Sequence, residues 1–257
     1  MSKAQWDWRG CCQWVGYDLE MSKVEPSAPQ TLAGIDLIMV LPPERQVELV
    51  RLCQWRRYDK DEQIIDRAST SKSRDVMFIA SGSVRVVVYS LMGRDLTLDD
   101  RTAGTYFGEL AAIDGHPRSA SAMAVEPTVI AALPAEHFNR YMSSEPAFAR
   151  IVMLRLATMV RATTDRLIDL STLGAHHRVH LELLRLAHQA TLVNGIPKIQ
   201  PIPMHADLAS RVSTTRETVA RVLNDLARRH ILKRESDALM VVGIERLEEM
   251  VNDIRGE

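Results

Sequence analysis

The sequence predicts an α+β protein in which a roll of short strands is followed by a long helix and a smaller, mainly helical domain. Short β-branched runs separated by turns lie between residues 76 and 133. At Pro146 the pattern becomes helical, and the next proline is Pro197. Two short helical segments then flank a tight turn near residue 213. We therefore divide the chain into an N-terminal extension (1–30), a β-roll (31–144), a long helix (145–172) and a C-terminal domain (173–257).

Composition restricts the class of protein. Hydrophobic residues make up 46% of the 257 residues and charged residues 25%, which is typical of a globular protein. The formal net charge is -1, so a DNA-binding surface would have to be a local patch. Neither a membrane span nor a signal peptide is expected. The three cysteines, Cys11, Cys12 and Cys53, fit neither a disulfide framework nor a four-ligand metal site. A cytoplasmic protein without a metal is expected.

The first thirty residues allow two interpretations. They contain Trp6, Trp8 and Trp14 but show no helical or strand period. The letters MSK at residues 21–23 repeat those at residues 1–3. This segment is either an ordered extension or the product of a start codon assigned upstream of the true one.

The β-roll begins with a helical pattern at residues 35–52, which Pro42 and Pro43 interrupt. Alternating or β-branched runs then predict a series of short strands. These strands are expected at residues 76–80, 84–89, 96–98, 120–124 and 129–133, with a turn at 91–95. Such short strands favour a compact barrel or roll.

The long helix carries a row of residues in alternating steps of four and three. The row consists of Val152, Leu156, Met159, Thr163, Arg166, Leu170 and Leu173. This spacing is a heptad seam, which predicts a partner helix and hence a dimer. A helix of about 26 residues would be about 39 Å long at about 1.5 Å per residue, which is longer than a small domain requires. The alternative is that the row packs against the chain's own core.

The most specific local string is YFGELAAIDGHPRSA at residues 106–120. Gly108 permits close approach of the backbone, and a helix starting there would direct free N–H groups at an anion. Arg118 offers a fork of donors that matches phosphate oxygens, and Ser119 adds a hydroxyl. Glu109 would accept a hydrogen bond from a ribose hydroxyl. Leu110, in the same string, is counted with these candidate ligand-binding residues.

A second constellation predicts a helix-turn-helix. Residues 205–212 form a short helix, residues 213–215 a turn, and a second helix runs from about Arg216 to Arg228. Thr214 and Glu217 are spaced as a capping box. The expected buried face of the second helix consists of Thr218, Val219, Val222, Leu223 and Leu226, and the exposed face of Arg216, Glu217, Ala220, Arg221 and Asn224.

The exposed face has the chemistry of a DNA reader. Arginine binds guanine through two hydrogen bonds, and glutamate accepts from cytosine, so Arg216, Glu217 and Arg221 are candidate base contacts. Arg211, Ser213 and Thr215 are candidate phosphate contacts. Ten basic and five acidic residues between positions 171 and 235 give this segment a net charge of +5. This is the local patch that the composition required.

These strings resemble one known family. FGELA and PRSA at residues 107–111 and 117–120, with GSVRV at 82–86, resemble the phosphate-binding cassette and β-roll of cyclic-nucleotide-binding domains. RETVAR at 216–221 resembles the recognition helix of the CRP/FNR family of bacterial transcription regulators. The resemblance covers about residues 35–243. It implies a cyclic-nucleotide-binding β-roll, a long dimerisation helix and a winged helix-turn-helix with wing strands near 231–234 and 239–242.

The resemblance implies a homodimeric transcription regulator with a cyclic nucleotide as allosteric effector. cAMP is expected first, with cGMP as an alternative. The expected partners are double-stranded DNA with palindromic TGTGA-like sites and RNA polymerase. An enzyme is not expected, because the histidines and acids show no catalytic spacing. Two rivals stay open: a regulator of the same architecture that needs no nucleotide, and a nucleotide-binding module that controls a partner protein.

The base-binding residues are carried over from cAMP-binding members of the family. Alignment through LLRLA at residues 183–187 places Thr163 and Thr164 where two adjacent hydroxyl residues meet the base, one from each subunit. Met159 stands where the family often has an arginine that reaches the cassette glutamate, although Arg155 and Arg161 are near. This departure leaves the identity of the effector open. An iron–sulfur cluster is not expected, because the family members that bind one use four ligand cysteines and this chain has three.

Overall fold

A computed structural model describes residues 31–69, 73–89 and 95–255, and its amino-terminal half is a β-roll of two antiparallel sheets. The strands are β1 (Gln54–Tyr58), β2 (Gln63–Ile65), β3 (Val76–Ser81), β4 (Ser83–Tyr89), β5 (Asp95–Thr102), β6 (Tyr106–Phe107), β7 (Ser121–Ala124) and β8 (Thr128–Leu133). One sheet has the order β1-β8-β3-β6 and the other β2-β7-β4-β5. The α+β prediction is confirmed. Residues 1–30, and residues 91–94 of the turn predicted at 91–95, lie outside the described residues.

Short helices close the roll. They are α1 (Asp36–Met39), α2 (Pro43–Leu52), α3 (Glu109–Asp114) and α4 (Ala135–Ser144). The expected interruption at Pro42 and Pro43 is confirmed, because α2 begins with Pro43 in its first turn, where the missing N–H costs nothing. The helices pack on β3 and β8 around the fully buried rings of Phe78, Phe138 and Tyr141.

The long helix α5 (Pro146–Thr172) has 27 residues, but its predicted seam faces the chain's own roll. Val152 is fully buried in the core of the roll, and Leu156 packs against the same cluster. Met159, Thr163 and Arg166 line a cavity between α5 and the roll. The alternative, packing against the chain's own core, is therefore correct for Val152 and Leu156, and the next three residues of the row face the cavity instead of an open helix surface.

A different row on α5 is uncovered. Met153, Val160 and Leu167 are 58%, 65% and 64% exposed and are spaced seven residues apart. Seven residues make two helical turns, so these side chains share one face. The true apolar stripe is thus offset from the predicted one.

The carboxyl-terminal half is a small domain built on a third sheet. Its elements are α6 (Ala175–Gln189), β9 (Thr191–Val193), β10 (Ile196–Ile199), α7 (His205–Arg211), α8 (Arg216–Arg228), β11 (Leu232–Arg234), β12 (Leu239–Val241) and α9 (Ile244–Arg255). The sheet order is β11-β12-β10-β9. The two wing strands expected near residues 231–234 and 239–242 are present as the antiparallel pair β11 and β12. Asn194 and Gly195 adopt positive φ angles of 54° and 79° and connect β9 to β10 in a tight turn.

Strand β5 separates the cavity from the C-terminal domain. A register shift between Val86 and Val87 marks a bulge in its pairing with β4. Thr97 and Asp100 contact α7, whereas Asp99 and Arg101 line the cavity. Within the described ranges, no helix is long and apolar enough to cross a membrane.

Candidate functional site

A cavity of about 400 Å³ lies between the β-roll and α5. It brings together six of the seven predicted ligand-binding residues, namely Gly108, Glu109, Leu110, Arg118, Ser119 and Thr163. Thr164 is not among the lining residues. Its side chain is exposed on α5, and its hydroxyl donates to the Val160 carbonyl at 3.0 Å.

Arg118 is held in place at the cassette end of the cavity. Its Nη1 donates to the Gly108 carbonyl at 3.0 Å and its Nη2 to the Asp75 carbonyl at 2.9 Å. Gly108 has a φ of 85°, and a Cβ there would lie 2.7 Å from Arg118 Nη1. Glycine is therefore required both for the backbone conformation and for the close approach of the guanidinium. Burial lowers the pKa of Arg118, so its charge would gain from an anionic partner.

Glu109 is the buried acid of the cavity, with a side chain only 3% exposed. Arg155 Nε lies 3.6 Å from Glu109 Oε1 and offsets its charge. The Arg155 guanidinium also lies 4.0 Å from the centre of the Tyr106 ring and donates to the Tyr106 carbonyl. The arginine that the sequence lacks at position 159 is thus supplied from one turn earlier. The sequence feature that could have identified Arg155 is its spacing of four residues from Met159, which places both side chains on one face of α5.

The part of the cavity wall that β5 provides is more strongly charged than the sequence suggested. Arg101 Nη2 and Asp99 Oδ2 lie 2.8 Å apart on the cavity wall. Arg101 Nε is buried without a hydrogen-bond partner among the described residues. Burial and the like charge of Arg155 lower the pKa of Arg101. Sequence reasoning missed both residues, because charges alternating along a strand are also typical of a solvated face.

Thr163 of α5 also lines the cavity. Its hydroxyl donates to the Met159 carbonyl at 2.8 Å, within its own helix. The hydroxyl oxygen keeps acceptor capacity toward the cavity. The position agrees with the predicted ligand contact, although the hydroxyl proton of Thr163 is already bound within its own helix.

The helix-turn-helix consists of α7, a turn at 212–215 and α8. Thr215 is the N-cap of α8, and its Oγ1 accepts a hydrogen bond from the Thr218 N–H at 3.2 Å. The predicted capping box was therefore wrong by one residue, because Thr214 precedes the cap. Glu217 instead pairs with Arg221 at 3.0 Å.

The two predicted faces of α8 are confirmed at their centres, and Thr218, Ala220 and Leu223 are half-buried between them. Val219, Val222 and Leu226 are buried in the core of the C-terminal domain. Glu217 and Arg221 have side chains that are 83% and 73% exposed, and Arg216 is exposed beside them. Ser213 and Thr215 are also exposed, at the start of the helix. Five of the six predicted DNA contacts are therefore exposed, in the turn and on α8.

Arg211 is placed differently from the other predicted DNA contacts. Its side chain is only 18% exposed and forms an ion pair with Asp100 of β5. Its Nη1 also lies 3.8 Å from Glu182 Oε1. In this conformation the guanidinium faces protein carboxylates, which corrects the expectation of an open phosphate contact.

Two protein families match the two halves of the chain. Residues 55–145 match the cyclic nucleotide-binding domain, and residues 177–250 match the Crp-like helix-turn-helix domain. The first match contains the cavity string, and the second contains α7 and α8.

Individual relatives match across both halves. A cyclic AMP receptor protein from Thermus thermophilus is 32% identical over 202 residues, which cover 79% of this chain and 90% of that protein. A CRP-like cAMP-activated global transcriptional regulator from Mycobacterium tuberculosis is 27% identical over 170 residues, which cover 66% of this chain and 76% of that protein.

Solved structures match the fold. FixK2 from Bradyrhizobium japonicum aligns with a TM-score of 0.64 at 22% identity, over 77% of this chain and 96% of that one. A CooA mutant from Carboxydothermus hydrogenoformans aligns with a TM-score of 0.68 at 22% identity, over 78% of this chain and 88% of that one. The order of β-roll, long helix and helix-turn-helix domain is thus shared with known structures.

Proposed function

This chain belongs to the CRP/FNR family of DNA-binding transcription regulators, and we propose that a 3′,5′-cyclic nucleotide bound in the cavity controls its binding to DNA. The chain carries a cyclic nucleotide-binding domain and a Crp-like helix-turn-helix. The observation that carries the proposal is the joint placement of Arg118 and Glu109 in one cavity. A fixed guanidinium and a buried, charge-balanced carboxylate suit a ligand with an anionic phosphate and a ribose hydroxyl.

Each end of the nucleotide has a proposed partner. Arg118, Ser119 and the backbone after Gly108 bind the cyclic phosphate, and Leu110 forms part of the wall. Glu109 accepts from the ribose 2′-hydroxyl while Arg155 balances its charge. Thr163 hydrogen-bonds the base. We expect cAMP first, because similar proteins are named for cAMP. cGMP is the alternative, since a threonine hydroxyl serves either purine.

The exposed stripe on α5 supports a homodimer. Met153, Val160 and Leu167 form an apolar face on a long helix, and a second copy of α5 would cover it. Thr164 lies in the same stripe, between Val160 and Leu167, and is exposed. Thr163 would then bind the nucleotide of its own subunit, and Thr164 of the partner subunit would approach the same base.

DNA binding is assigned to the open face of α8. Arg216, Glu217 and Arg221 read bases, and Ser213 and Thr215 contact phosphates. A two-fold dimer requires half-sites about 34 Å apart, and family resemblance gives each a TGTGA-like sequence. RNA polymerase is the proposed protein partner. The proposed location is the reducing cytoplasm, where the buried thiol of Cys53 would stay reduced.

The experiment is calorimetry of the full chain with cAMP and with cGMP, followed by a DNA-binding titration with and without the nucleotide that binds. We expect one cyclic nucleotide to bind and to tighten DNA binding. DNA binding without any nucleotide binding would favour a nucleotide-independent regulator. Nucleotide binding without any specific DNA site would favour a module that controls a partner protein.

A further inference from the structure

Helix α7 of the helix-turn-helix is docked on β5 by four charged side chains, Arg85, Asp100, Asp207 and Arg211, which we call the interdomain cluster. Arg85 Nε lies 2.9 Å from Asp100 Oδ1, and Arg85 Nη1 lies 2.8 Å from Asp207 Oδ1. Arg211 completes the cluster through its ion pair with Asp100. These side chains are 18–29% exposed, so water screens the cluster only in part.

Thr97 and Ser210 extend the docking contact beside the interdomain cluster. The Thr97 N–H donates to Ser210 Oγ at 2.9 Å, and the two hydroxyl oxygens are also 2.9 Å apart. β5 is an edge strand, so its outward N–H groups need partners from outside the sheet. Helix α7 therefore covers the edge of the β-roll.

Docking changes the charge that the helix-turn-helix presents. The Arg211 guanidinium faces Asp100 and Glu182 instead of solvent. A phosphate contact from Arg211 would require these ion pairs to break. The docked arrangement also places the carboxylates of β5 beside α7, which weakens the local attraction for a polyanion.

Arg166 on α5 touches the cavity, β5 and α7 at once. It lines the cavity with Thr163 and Arg155. Its Nη2 donates to the Thr97 carbonyl at 2.9 Å and to the Arg211 carbonyl at 2.7 Å, while its Nη1 donates to the Leu98 carbonyl at 3.3 Å.

The Arg166 guanidinium is held mainly by neutral acceptors. Burial lowers the pKa of Arg166, with the charges of Glu182, Arg211 and Asp99 nearby. A desolvated guanidinium bonded to carbonyls gains from a stronger or additional acceptor. The ring nitrogens and carbonyl groups of a purine are such acceptors.

We propose that Arg166 couples the cavity to the helix-turn-helix: a purine in the cavity takes hydrogen bonds from Arg166, α7 leaves β5, and Arg211 becomes free to contact a DNA phosphate. The proposal rests on the proposed function, since it takes a cyclic nucleotide as the ligand. Coupling requires the nucleotide to bind the undocked arrangement more tightly than the docked one. Arg166 is thus a positioning residue between two sites.

The first test compares Arg166→Ala with Arg166→Lys and with Arg161→Ala, an exposed arginine on the same helix. The readout is the ratio of DNA affinities with and without saturating cAMP or cGMP. In the absence of nucleotide, we expect Arg166→Ala to bind DNA at least fivefold more tightly than the wild type does. The ratio of its DNA affinities with and without nucleotide should fall toward one. Arg166→Lys should restore part of the ratio, and Arg161→Ala should behave as wild type.

The outcomes of this test are separable. If calorimetry detects no nucleotide binding by the wild type, the proposed function is wrong. If the wild type binds nucleotide and Arg166→Ala keeps the wild-type ratio, the coupling proposal is wrong and the proposed function stands. Loss of nucleotide affinity alone, with an unchanged DNA affinity in the absence of nucleotide, would also overturn the coupling.

A second test traps the docked arrangement. Thr97→Cys combined with Ser210→Cys places two thiols where the hydroxyl oxygens are 2.9 Å apart. We expect the oxidised double variant, saturated with nucleotide, to bind DNA at least tenfold more weakly than after reduction. Each single variant and the wild type, treated with the same oxidant, should not change. Equal DNA binding by the cross-linked and reduced protein would show that docking does not inhibit and would overturn the proposal.

Discussion

The nucleotide cavity and the recognition surface both depend on arginine, but they hold their arginines in opposite ways. Arg118 is fixed by two backbone carbonyls before any ligand arrives. On α8, Arg216 is exposed and Arg221 forms one solvent-exposed pair with Glu217. Such an exposed pair contributes at most about 1 kcal/mol.

This difference follows from the two kinds of partner. A small nucleotide has one shape, so a rigid, partly dry cavity gains affinity by fixing its donors in advance. DNA presents different base edges at each site, so side chains that read it must reorient. The comparison predicts large, localised losses in the cavity and smaller, sequence-dependent losses on α8.

The largest expected effect is in the cavity. Arg118→Ala should abolish measurable nucleotide binding, because loss of a buried partner for the phosphate costs on the order of 2–5 kcal/mol. Calorimetry measures the affinity, and circular dichroism checks that the variant is folded. Arg57→Ala, an exposed arginine on β1, is the matched control. An affinity equal to that of the wild type would remove Arg118 from the site.

The two regions should also respond differently to acid. His180 on α6 is buried in the C-terminal domain, and burial together with His177 and His176 lowers its pKa to about 4. The ordinary pKa of histidine is 6.5, so between pH 6.5 and 4 His180 is protonated in the unfolded chain but neutral in the folded domain. The contribution of neutral His180 to the free energy of unfolding is therefore fully present above pH 6.5. It falls by about 3 kcal/mol as the pH drops toward 4.

His180→Leu should remove this dependence. The Nδ1 of His180 has no hydrogen-bond partner among the described residues, so an apolar replacement leaves no protein partner unpaired. Urea unfolding at pH 7 and pH 4.5, followed by circular dichroism, gives the free energy of unfolding. His116→Leu in the β-roll is the control, since that side chain is 77% exposed. A wild-type pH dependence in His180→Leu would contradict this assignment.

On α8 the expected effect is smaller and specific to sequence. Arg216→Ala should cost about 1–3 kcal/mol on the best site and relax the preference at one base position. Selection from random DNA, with wild type and variant both saturated with nucleotide, measures this preference. Arg228→Ala, at the far end of α8 and 78% exposed, should enrich the wild-type motif. If Arg216→Ala also enriches that motif unchanged, Arg216 does not read a base.

The smallest effect is expected at the amino terminus. Residues 1–20 lie outside the described residues and carry no regular period. A chain that starts at Met21 should bind nucleotide and DNA as the full chain does. Loss of either activity would show that the tryptophan-rich segment contributes to function. Mass spectrometry of the native amino terminus determines the start site independently.

Local features of the fold were predictable from the sequence. The strands around Val84 and Ile130 follow from β-branched runs, and the cavity residues follow from one contiguous string. The faces of α8 follow from a 3.6-residue period. The N-cap of α8 was predicted one residue too early, because Thr214 and Thr215 have the same hydroxyl group. Strand β10 was not predicted, because it contains Pro197 and proline is unusual within a strand.

Contacts between distant segments were not predictable. Helix α5 carries two rows of residues with heptad-like steps. The sequence pattern does not distinguish the row of Val152, which is buried against the roll, from the row of Val160, which is exposed. Arg211 and Asp100 are 111 residues apart in the chain, so their ion pair depends on how the domains meet. The same holds for Arg155 and Glu109, which only the packing of α5 on the cavity brings together.

Control of DNA binding by a cyclic nucleotide is tested most directly by the DNA affinity of the wild-type protein with and without that nucleotide. Fluorescence anisotropy with the DNA motif from random selection gives both dissociation constants. We predict that saturating nucleotide tightens DNA binding by about 5- to 150-fold, and that DNA tightens nucleotide binding by the same factor. Equal DNA affinity in protein with and without bound nucleotide would contradict it.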